Sequence, residues 1–164
     1  MTVLALNASP SVSSKTAALA AAGVEAAGGG RVVHLAELDA EGLLGRRPTL
    51  DVQALLEEIT NASRLLLVTP IYRATYSGLL KVVFDQLPLD SLVGSASVLA
   101  ATAGGPTHFL SLDTGLRSLV ASLGGWSTPT VVYATSADFE DGQPSNTIRD
   151  RLAEALEEAT SVAG

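Results

Sequence analysis

The sequence alternates between short apolar runs and segments whose apolar residues recur at helical spacing, and this alternation constrains the fold more than any other feature. The apolar runs predict five β-strands, at residues 3–6, 32–35, 65–68, 98–101 and 131–134. The periodic segments predict five helices, at residues 14–27, 51–62, 77–87, 107–123 and 145–162. Strands without polar alternation are typical of a parallel sheet covered by helices on both faces, so we expect an α/β fold.

The chain length and the absence of cysteine limit the classes of protein that fit. A chain of 164 residues without a visible boundary predicts a single domain over residues 1–164. Without cysteine there is no disulfide, thiol nucleophile or cysteine-ligated metal. The two histidines, His34 and His108, lie far apart in sequence, so we predict no metal site. Redox chemistry would therefore have to come from a cofactor.

The charge and the amino terminus exclude further classes. A net charge of −7 and a pI near 4.7 predict no nucleic-acid partner and no anionic membrane surface, because both require clustered Lys and Arg. The chain enters its first apolar run at Val3 without a basic leader, and no apolar run approaches the roughly 18 residues that span a bilayer. We therefore expect a cytoplasmic protein.

Right-handed crossovers between these elements fit a flavodoxin-like three-layer sandwich with a five-stranded parallel sheet of order 2-1-3-4-5. Residues 37–50 are the least regular part of the chain and are predicted to form a long surface connection. In this sheet order the loops after the first, third and fourth strands converge at the switch point, where such sheets bind ligands.

The loop after the first strand, within NASPSVSSKTAAL, is rich in hydroxyl groups and has one cation at the start of a helix. These residues are Ser9, Ser11, Ser13, Ser14, Thr16 and Lys15. A helix start presents free N–H groups and a positive dipole end, which favours a bound phosphate, although plain capping also explains serines here. The loop lacks GxxxxGK[ST] and GxGxxG, which argues against a P-loop hydrolase and a dinucleotide-type Rossmann domain.

The loop after the third strand joins a buried strand to an amphipathic helix through aromatic and basic residues. Pro70 is predicted to end the strand, and Ser77 to cap a helix on which Lys81 and Asp85 form a pair. Ile71, Tyr72, Arg73 and Tyr76 lie between these two points. The tyrosines are either ligand contacts or ordinary half-exposed aromatic residues.

The loop after the fourth strand, ATAGGPTHF, contains paired glycines. Gly104 and Gly105 allow the backbone to approach a flat ligand closely, although an ordinary βα turn has the same composition. Pro106 and Thr107 start the next helix, and His108 is interpreted as a capping or solvated residue.

Together the three loops resemble the NADPH-dependent FMN reductase family, particularly the reductases that supply reduced flavin to two-component monooxygenases such as the alkanesulfonate system. The resemblance rests on SPSVSSKT, TPIYRATYSGLLKVVFD and AGGPTHFLSLD, which are similar to the family's three loop motifs. It implies a flavodoxin-like fold, hydride transfer from NADPH or NADH to FMN, and a possible partner monooxygenase.

The resemblance also implies roles for residues, and it implies no catalytic acid or base. The phosphate of FMN would be held by Ser9, Ser14, Lys15 and Thr16, with Ser11 beside them. The ribityl chain and ring would be lined by Pro70, Ile71, Tyr72 and Arg73, with Ser77 next to them. The other edge of the ring would meet Thr102, Ala103, Gly104 and Gly105. Arg73 would stabilise negative charge on the reduced flavin or on a nicotinamide phosphate, or else form a surface salt bridge.

Two positions depart from the family pattern. Ser11 stands where alkanesulfonate-type members have an arginine, which predicts weaker FMN binding or an anchor at Lys15. Thr114 stands where those members insert an aromatic residue that widens a helix at the subunit interface. We therefore predict a regular helix here, with FMN retained as a prosthetic group.

Alternatives from other classes stay open. One is an enzyme that retains FMN and reduces quinones or azo dyes. Another is a flavodoxin-type electron carrier, although the first loop lacks the T-G-N-T phosphate signature of such carriers. A third is a binding module without flavin. We also expect a homodimer or homotetramer, because the helices after the third and fourth strands carry abundant apolar residues. These are Leu79, Val82, Val83, Leu112, Leu116 and Leu119.

Overall fold

A parallel β-sheet between two layers of helices forms the centre of the protein. The structure is a computed structural model, and it describes residues 2–162. The strands are β1 Val3–Asn7, β2 Gly30–His34, β3 Arg64–Pro70, β4 Ala96–Ala103, β5 Trp126–Ser127, β6 Val132–Thr135, β7 Phe139–Glu140 and β8 Gln143–Pro144. The α-helices are α1 Lys15–Ala26, α2 Ala40–Leu43, α3 Leu50–Asn61, α4 Gly78–Phe84, α5 Arg117–Ser122 and α6 Asn146–Val162.

The sheet has the order β2-β1-β3-β4, and β5 and β6 both pair with the outer edge of β4. All of these pairings are parallel, which confirms the predicted order 2-1-3-4-5. The fifth position is a broken strand whose second half, β6, corresponds to the predicted run at 131–134. Pro129 lies in the break, and proline has no N–H to donate to a ladder. A separate hairpin of β7 and β8 was not predicted.

The two helical layers bury opposite faces of the sheet. One face packs against α3, α4 and α5, and its residues in β1 and β3 are Leu4, Leu6, Leu65 and Leu67. The other face packs against α1 and α6, and its residues are Val3, Ala5, Leu66 and Val68. Every residue of β3 is buried, which explains its continuous apolar run. Burying one leucine side chain contributes about 1.5–3 kcal/mol, so these two faces provide most of the hydrophobic stabilisation.

The prediction of a long surface connection over residues 37–50 is wrong in part. A 3₁₀ turn, Leu35–Glu37, leads into α2, which the carboxylate of Asp39 caps by accepting from the N–H of Gly42 at 3.0 Å. Leu43 is buried in the core, so the segment is anchored by its own apolar side chain. Sequence periodicity misses a helix of four residues because it makes only about one turn of ~3.6 residues, so apolar positions cannot recur within it.

The prediction of a regular helix over residues 107–123 is also wrong. The segment begins as a 3₁₀ turn, Pro106–His108, widens to a π-helix at Leu112–Leu116, and continues as α5. The N–H of Arg117 donates to the carbonyl of Leu112, which is the five-residue spacing of a π turn. The π-helix therefore forms in this chain although Thr114 stands in place of the inserted aromatic residue.

Packing explains why the wide turn is accommodated at this place. Leu112 and Leu116 are both fully buried, and a Cβ added to Gly115 would lie 3.2 Å from the ring of Tyr76. Phe109 precedes the π-helix and is 57% exposed, so it lies outside this buried face. Val83 is also buried within the chain. Val83, Leu112 and Leu116 are three of the six residues from which an oligomer was predicted, and all three lie in the core.

Within residues 2–162, no helix is both long and apolar enough to cross a membrane. The same residues contain no group of three or more His, Asp or Glu side chains arranged to hold a metal ion.

The turn between α1 and β2 provides a test of backbone packing. Gly29 and Gly30 have similar φ angles, 139° and 144°, but a Cβ at Gly30 would lie 2.1 Å from the carbonyl oxygen of Val3, whereas one at Gly29 meets nothing within 4 Å. Both substitutions to alanine strain φ, and only Gly30→Ala adds a backbone clash. We expect Gly30→Ala to lower the free energy of unfolding by about 2 kcal/mol more than Gly29→Ala in urea titrations. Equal losses would contradict this packing.

Candidate functional site

Three loops meet at the carboxyl edge of the sheet, after β1, β3 and β4. Two buried hydrogen bonds hold them together. The hydroxyl of Ser77 donates to the carbonyl of Ala8 at 2.7 Å and joins the second loop to the first. The hydroxyls of Thr16 and Thr102 lie 2.7 Å apart and join the first loop to the third. The predicted site residues of all three loops are therefore neighbours in the structure.

The first loop turns sharply around its own side chains. The N–H of Ser9 donates to Asn7 Oδ1 at 3.2 Å, and the N–H of Ser11 donates to Ser9 Oγ at 3.1 Å. Ser14 caps α1, because its hydroxyl accepts from the N–H of Ala17 at 3.1 Å. These bonds fix the loop in one shape at the start of a helix of 12 residues.

The same loop presents donors to an anion. Within residues 2–162, no acceptor takes the N–H groups of Ser13, Ser14 and Lys15. Residues 8–16 include no acidic side chain, and the positive end of the α1 dipole points at them. The loop can therefore bind a phosphate through neutral backbone donors.

Lys15 does not complete this loop in the expected way. Its Nζ lies 3.4 Å from the carbonyl oxygen of Ser136 and 5.5 Å from the centre of the Phe139 ring. Both residues follow β6, where Thr135 and Asp138 form a reciprocal capping pair. The cation of the first loop is thus directed to the segment after β6.

The second loop has a strained tip. Tyr72 and Thr75 exchange two backbone hydrogen bonds of 2.9 and 3.2 Å, and the two residues between them, Arg73 and Ala74, have φ angles of 51° and 66°. Left-handed conformations at residues other than glycine cost on the order of 1–3 kcal/mol and are concentrated at functional sites. Arg73 is exposed, and no acidic side chain within residues 2–162 forms an ion pair with it.

Ser77 precedes α4 at its N-cap position, but its side chain does not make the predicted capping hydrogen bond. Its hydroxyl is used by Ala8, and its N–H donates to Thr69 Oγ1 at 2.9 Å. Pro70 closes β3 opposite Thr102, and the N–H of Ile71 extends the pairing to the carbonyl of Thr102 at 2.8 Å. The role of Ser77 in the structure is to position the loops.

The third loop leaves open space at its glycines. A Cβ added to Gly104 or Gly105 would meet nothing within 4 Å, so the backbone there can approach a ligand. The hydroxyl of Tyr133 donates to the carbonyl of Gly105 at 2.8 Å and fixes this backbone from β6. Ala103 is half-buried at the end of β4, and His108 is exposed.

Sequence reasoning missed several residues whose side chains make hydrogen bonds in or next to these loops, namely Asn7, His34, Thr69 and Tyr133. Asn7 had a detectable signal, since a polar residue ending an apolar strand at the switch edge is unusual. The partners of Thr69 and Tyr133 lie 8 and 28 residues away in sequence, so no local pattern marks them.

Three groups with displaced pKa values lie outside these loops. The hydrogen bond to Asp85 raises the pKa of Lys81, which confirms their predicted pairing, and the bond to Glu58 raises the pKa of Arg31. The backbone N–H of Asp39 lowers the pKa of Asp51. All three shifts arise from hydrogen bonds outside the three loops, so they assign no acid or base to the site.

A parallel sheet with unpartnered N–H groups at a helix start and an open glycine backbone at the switch edge is typical of flavodoxin-like proteins, which bind phosphorylated cofactors there. A family model described as NADPH-dependent FMN reductase matches residues 1–140. The chain belongs to this family, which confirms the resemblance identified from the loop motifs.

Individual relatives agree with this assignment. An FMN reductase (NADPH) of Pseudomonas aeruginosa is 36% identical over 82% of this chain and 74% of its own length. Several other curated FMN reductases align over 48% to 62% of their own length. The apo crystal structure of an NADH:FMN oxidoreductase, EMOB, has a TM-score of 0.88 at 32% identity and covers 98% of this chain and 89% of its own.

A more distant structure confirms the fold alone. An archaeal flavodoxin has a TM-score of 0.69 at 12% identity, with both chains covered completely. The Pseudomonas aeruginosa reductase is named for NADPH, and EMOB is named for NADH. These names confirm the expected cofactors of the family, which are FMN with NADPH or NADH.

The residues of the site fit FMN. The unpartnered N–H groups of the first loop suit a phosphate, and the open backbone at Gly104 and Gly105 leaves room for a flat ring edge. The assignment of individual residues to parts of FMN stays a prediction.

The bond between Ser77 and Ala8 generates a test of how the loops are held. Ser77→Ala leaves the buried carbonyl of Ala8 without its partner, which we expect to lower the free energy of unfolding by about 1–3 kcal/mol and to weaken FMN binding. Ser118→Ala is the matched control, because its exposed hydroxyl makes only a 3.4 Å contact with the carbonyl of Thr114. Chemical denaturation and FMN fluorescence titration measure both effects. An unchanged Ser77→Ala protein would show that the loops do not depend on this bond.

Proposed function

We propose that the protein binds FMN loosely, reduces it with NADPH or NADH, and releases the reduced flavin to a partner monooxygenase. The expectation of an NAD(P)H:FMN oxidoreductase agrees with the family to which the chain belongs. Loose binding and the partner enzyme are the parts that go beyond the family.

One observation carries the proposal of loose binding. The first loop, residues 8–16, is called the phosphate loop below. It offers neutral N–H and hydroxyl donors, but its single cation is directed to Ser136 and Phe139. The family pattern identified from the sequence has an arginine at the position of Ser11, which this chain lacks. Hydrogen bonds from charged donors are roughly twice as strong as those from neutral ones. A phosphate held without a charged partner is expected to exchange readily, as a substrate does.

FMN supplies the hydride acceptor in this reaction, and NADPH or NADH supplies the hydride. The chain then has to bind and orient its ligands rather than transfer protons. The backbone donors at Ser13 to Lys15 bind phosphate, and Gly104 and Gly105 leave the space beside the ring clear of side chains. The exposed Tyr72, at 51%, is available to pack against a second ring.

Arg73 is proposed to interact with the nicotinamide substrate. It projects from the strained tip of the second loop, is exposed, and has no ion-pair partner within residues 2–162. A guanidinium can bind a phosphate through two parallel hydrogen bonds. We therefore favour NADPH, whose additional phosphate distinguishes it from NADH.

Assembly and location complete the proposal. Exposed apolar side chains beside the site, Phe109 at 57% and Leu110 at 54%, support a homodimer or homotetramer that covers them. Val83, Leu112 and Leu116, three of the six residues from which an oligomer was first expected, are buried within the chain and cannot serve as this surface. We propose a cytoplasmic location, where nicotinamide donors are available, and neither a nucleic-acid nor a membrane partner.

Flavin binding and turnover test the central proposal. We expect protein purified without added flavin to be largely colourless, to bind FMN with micromolar dissociation constant, and to oxidise NADPH with saturable dependence on free FMN. A micromolar dissociation constant corresponds to a binding free energy of about −8 kcal/mol, which is our expectation for a phosphate without a charged partner. Absorbance spectra, fluorescence titration and steady-state kinetics measure these quantities.

Each other outcome selects an alternative. A yellow protein that turns over only with an added quinone or azo dye would show that FMN is retained. FMN binding without NADPH or NADH oxidation would favour an electron carrier. The absence of FMN binding would overturn the enzyme proposal altogether.

Arg73→Gln tests the proposed choice of nicotinamide. Loss of a charge-assisted interaction should raise the KM for NADPH about ten- to a hundredfold and leave the KM for NADH nearly unchanged. Arg46→Gln is the control, because Arg46 is an exposed arginine paired with Glu41 after α2. Equal changes for the two nicotinamides would argue against recognition of the additional phosphate by Arg73.

A further inference from the structure

An asparagine and a histidine form a polar pair beside the phosphate loop. Asn7 is the last residue of β1 and is completely buried. His34 is the last residue of β2, is half-buried, and lies directly opposite Asn7 in the parallel register. Asn7 Nδ2 lies 2.8 Å from His34 Nδ1. Neither residue is used by the reaction described above.

The neighbouring backbone fixes which way the Asn7 amide faces. Asn7 Oδ1 accepts from the N–H of Ser9, which can only donate. The amide nitrogen must therefore face His34, and it also can only donate. Consequently Nδ1 of His34 must accept, and the imidazole must be neutral with its proton on Nε2.

The pair continues into the phosphate loop. Asn7 Oδ1 accepts from the N–H of Ser9, and Ser9 Oγ accepts from the N–H of Ser11 at 3.1 Å. The donors proposed for FMN phosphate begin two residues later, at Ser13. The orientation of one buried amide thus sets the first turn of the loop.

We propose that His34 is a positioning residue, which holds the phosphate loop in its binding shape through Asn7 and does so only while its imidazole is neutral. Protonation places a second N–H on Nδ1, so that two donors face each other across 2.8 Å. The hydrogen bond is then lost, and Asn7 is free to release Ser9. FMN affinity is expected to fall as His34 is protonated. The part of this inference that concerns FMN rests on the proposed function.

The charged groups around His34 give it no fixed ion-pair partner within residues 2–162. Arg31, Glu37 and Asp51 line a cavity of about 340 Å³ together with His34. Helix α1 packs on β2 and carries Lys15 and Glu25. Of these groups, Arg31 is paired with Glu58, Glu25 with Arg149, and the carboxylate of Asp51 accepts from the N–H of Asp39.

Two variants separate the hydrogen bond from the charge. In His34→Asn, the side-chain oxygen can take the place of Nδ1 and accept from Asn7 without titrating. In His34→Leu, no acceptor remains. We expect His34→Leu to raise the dissociation constant for FMN about tenfold at pH 8 and His34→Asn to restore it to nearly the wild-type value.

The first readout is independent of FMN. In ¹⁵N-resolved NMR spectra of the free protein, the Ser9 amide should shift between pH 8 and pH 5 with the same midpoint as the His34 imidazole. The shift should be absent in His34→Asn. A Ser9 amide that does not follow His34, or that titrates equally in His34→Asn, would overturn the inference, even if the protein proves to bind no FMN.

The second readout is the pH dependence of FMN binding. The phosphate of FMN itself titrates near pH 6, so wild type and His34→Asn must be compared at each pH. We expect affinity to fall more steeply on acidification in wild type than in His34→Asn. Identical pH profiles of FMN affinity in wild type and His34→Asn would overturn the proposal. An affinity that rises on acidification only in wild type would also overturn it, because it would indicate direct attraction between the imidazolium and the phosphate.

Discussion

Burial of the sheet on both faces is the constraint on which the site depends. Because helices cover β1, β3 and β4 from both sides, polar groups are excluded from the faces and are collected at the ends of the strands. Parallel strands bring the loops that follow them to one edge. The phosphate loop, the strained tip and the glycine backbone are neighbours because β1, β3 and β4 are adjacent parallel strands.

This constraint explains why the fold could be predicted from the sequence. The continuous apolar runs of β1, β3 and β4 occur where both faces are buried, and they were located to within a few residues. The edge of the sheet was less clear, because the fifth position is interrupted around Pro129. Short elements such as α2, and the wide turn at Leu112–Leu116, depend on tertiary packing against distant residues and leave no periodic signal.

The site was predictable in place but not in its internal contacts. The loops could be read from Ser, Gly and aromatic residues after strands, whereas the bonds that join them connect residues 69 and 86 positions apart. Ser77 illustrates the difference: the sequence indicates a helix cap, but its hydroxyl is used by Ala8. Lys15 is a second example, because its direction depends on the segment after β6, which no motif in the first loop reveals.

The same contacts support the proposal that a rigid site binds FMN loosely. The loops are held by buried hydrogen bonds among themselves, so little ordering is required when a ligand arrives. The first loop offers a phosphate only neutral donors, so the electrostatic gain on binding is small. Preorganisation without a fixed positive charge favours a ligand that is recognised by shape and then released. In the proposed function, this combination allows FMN to exchange as a substrate does.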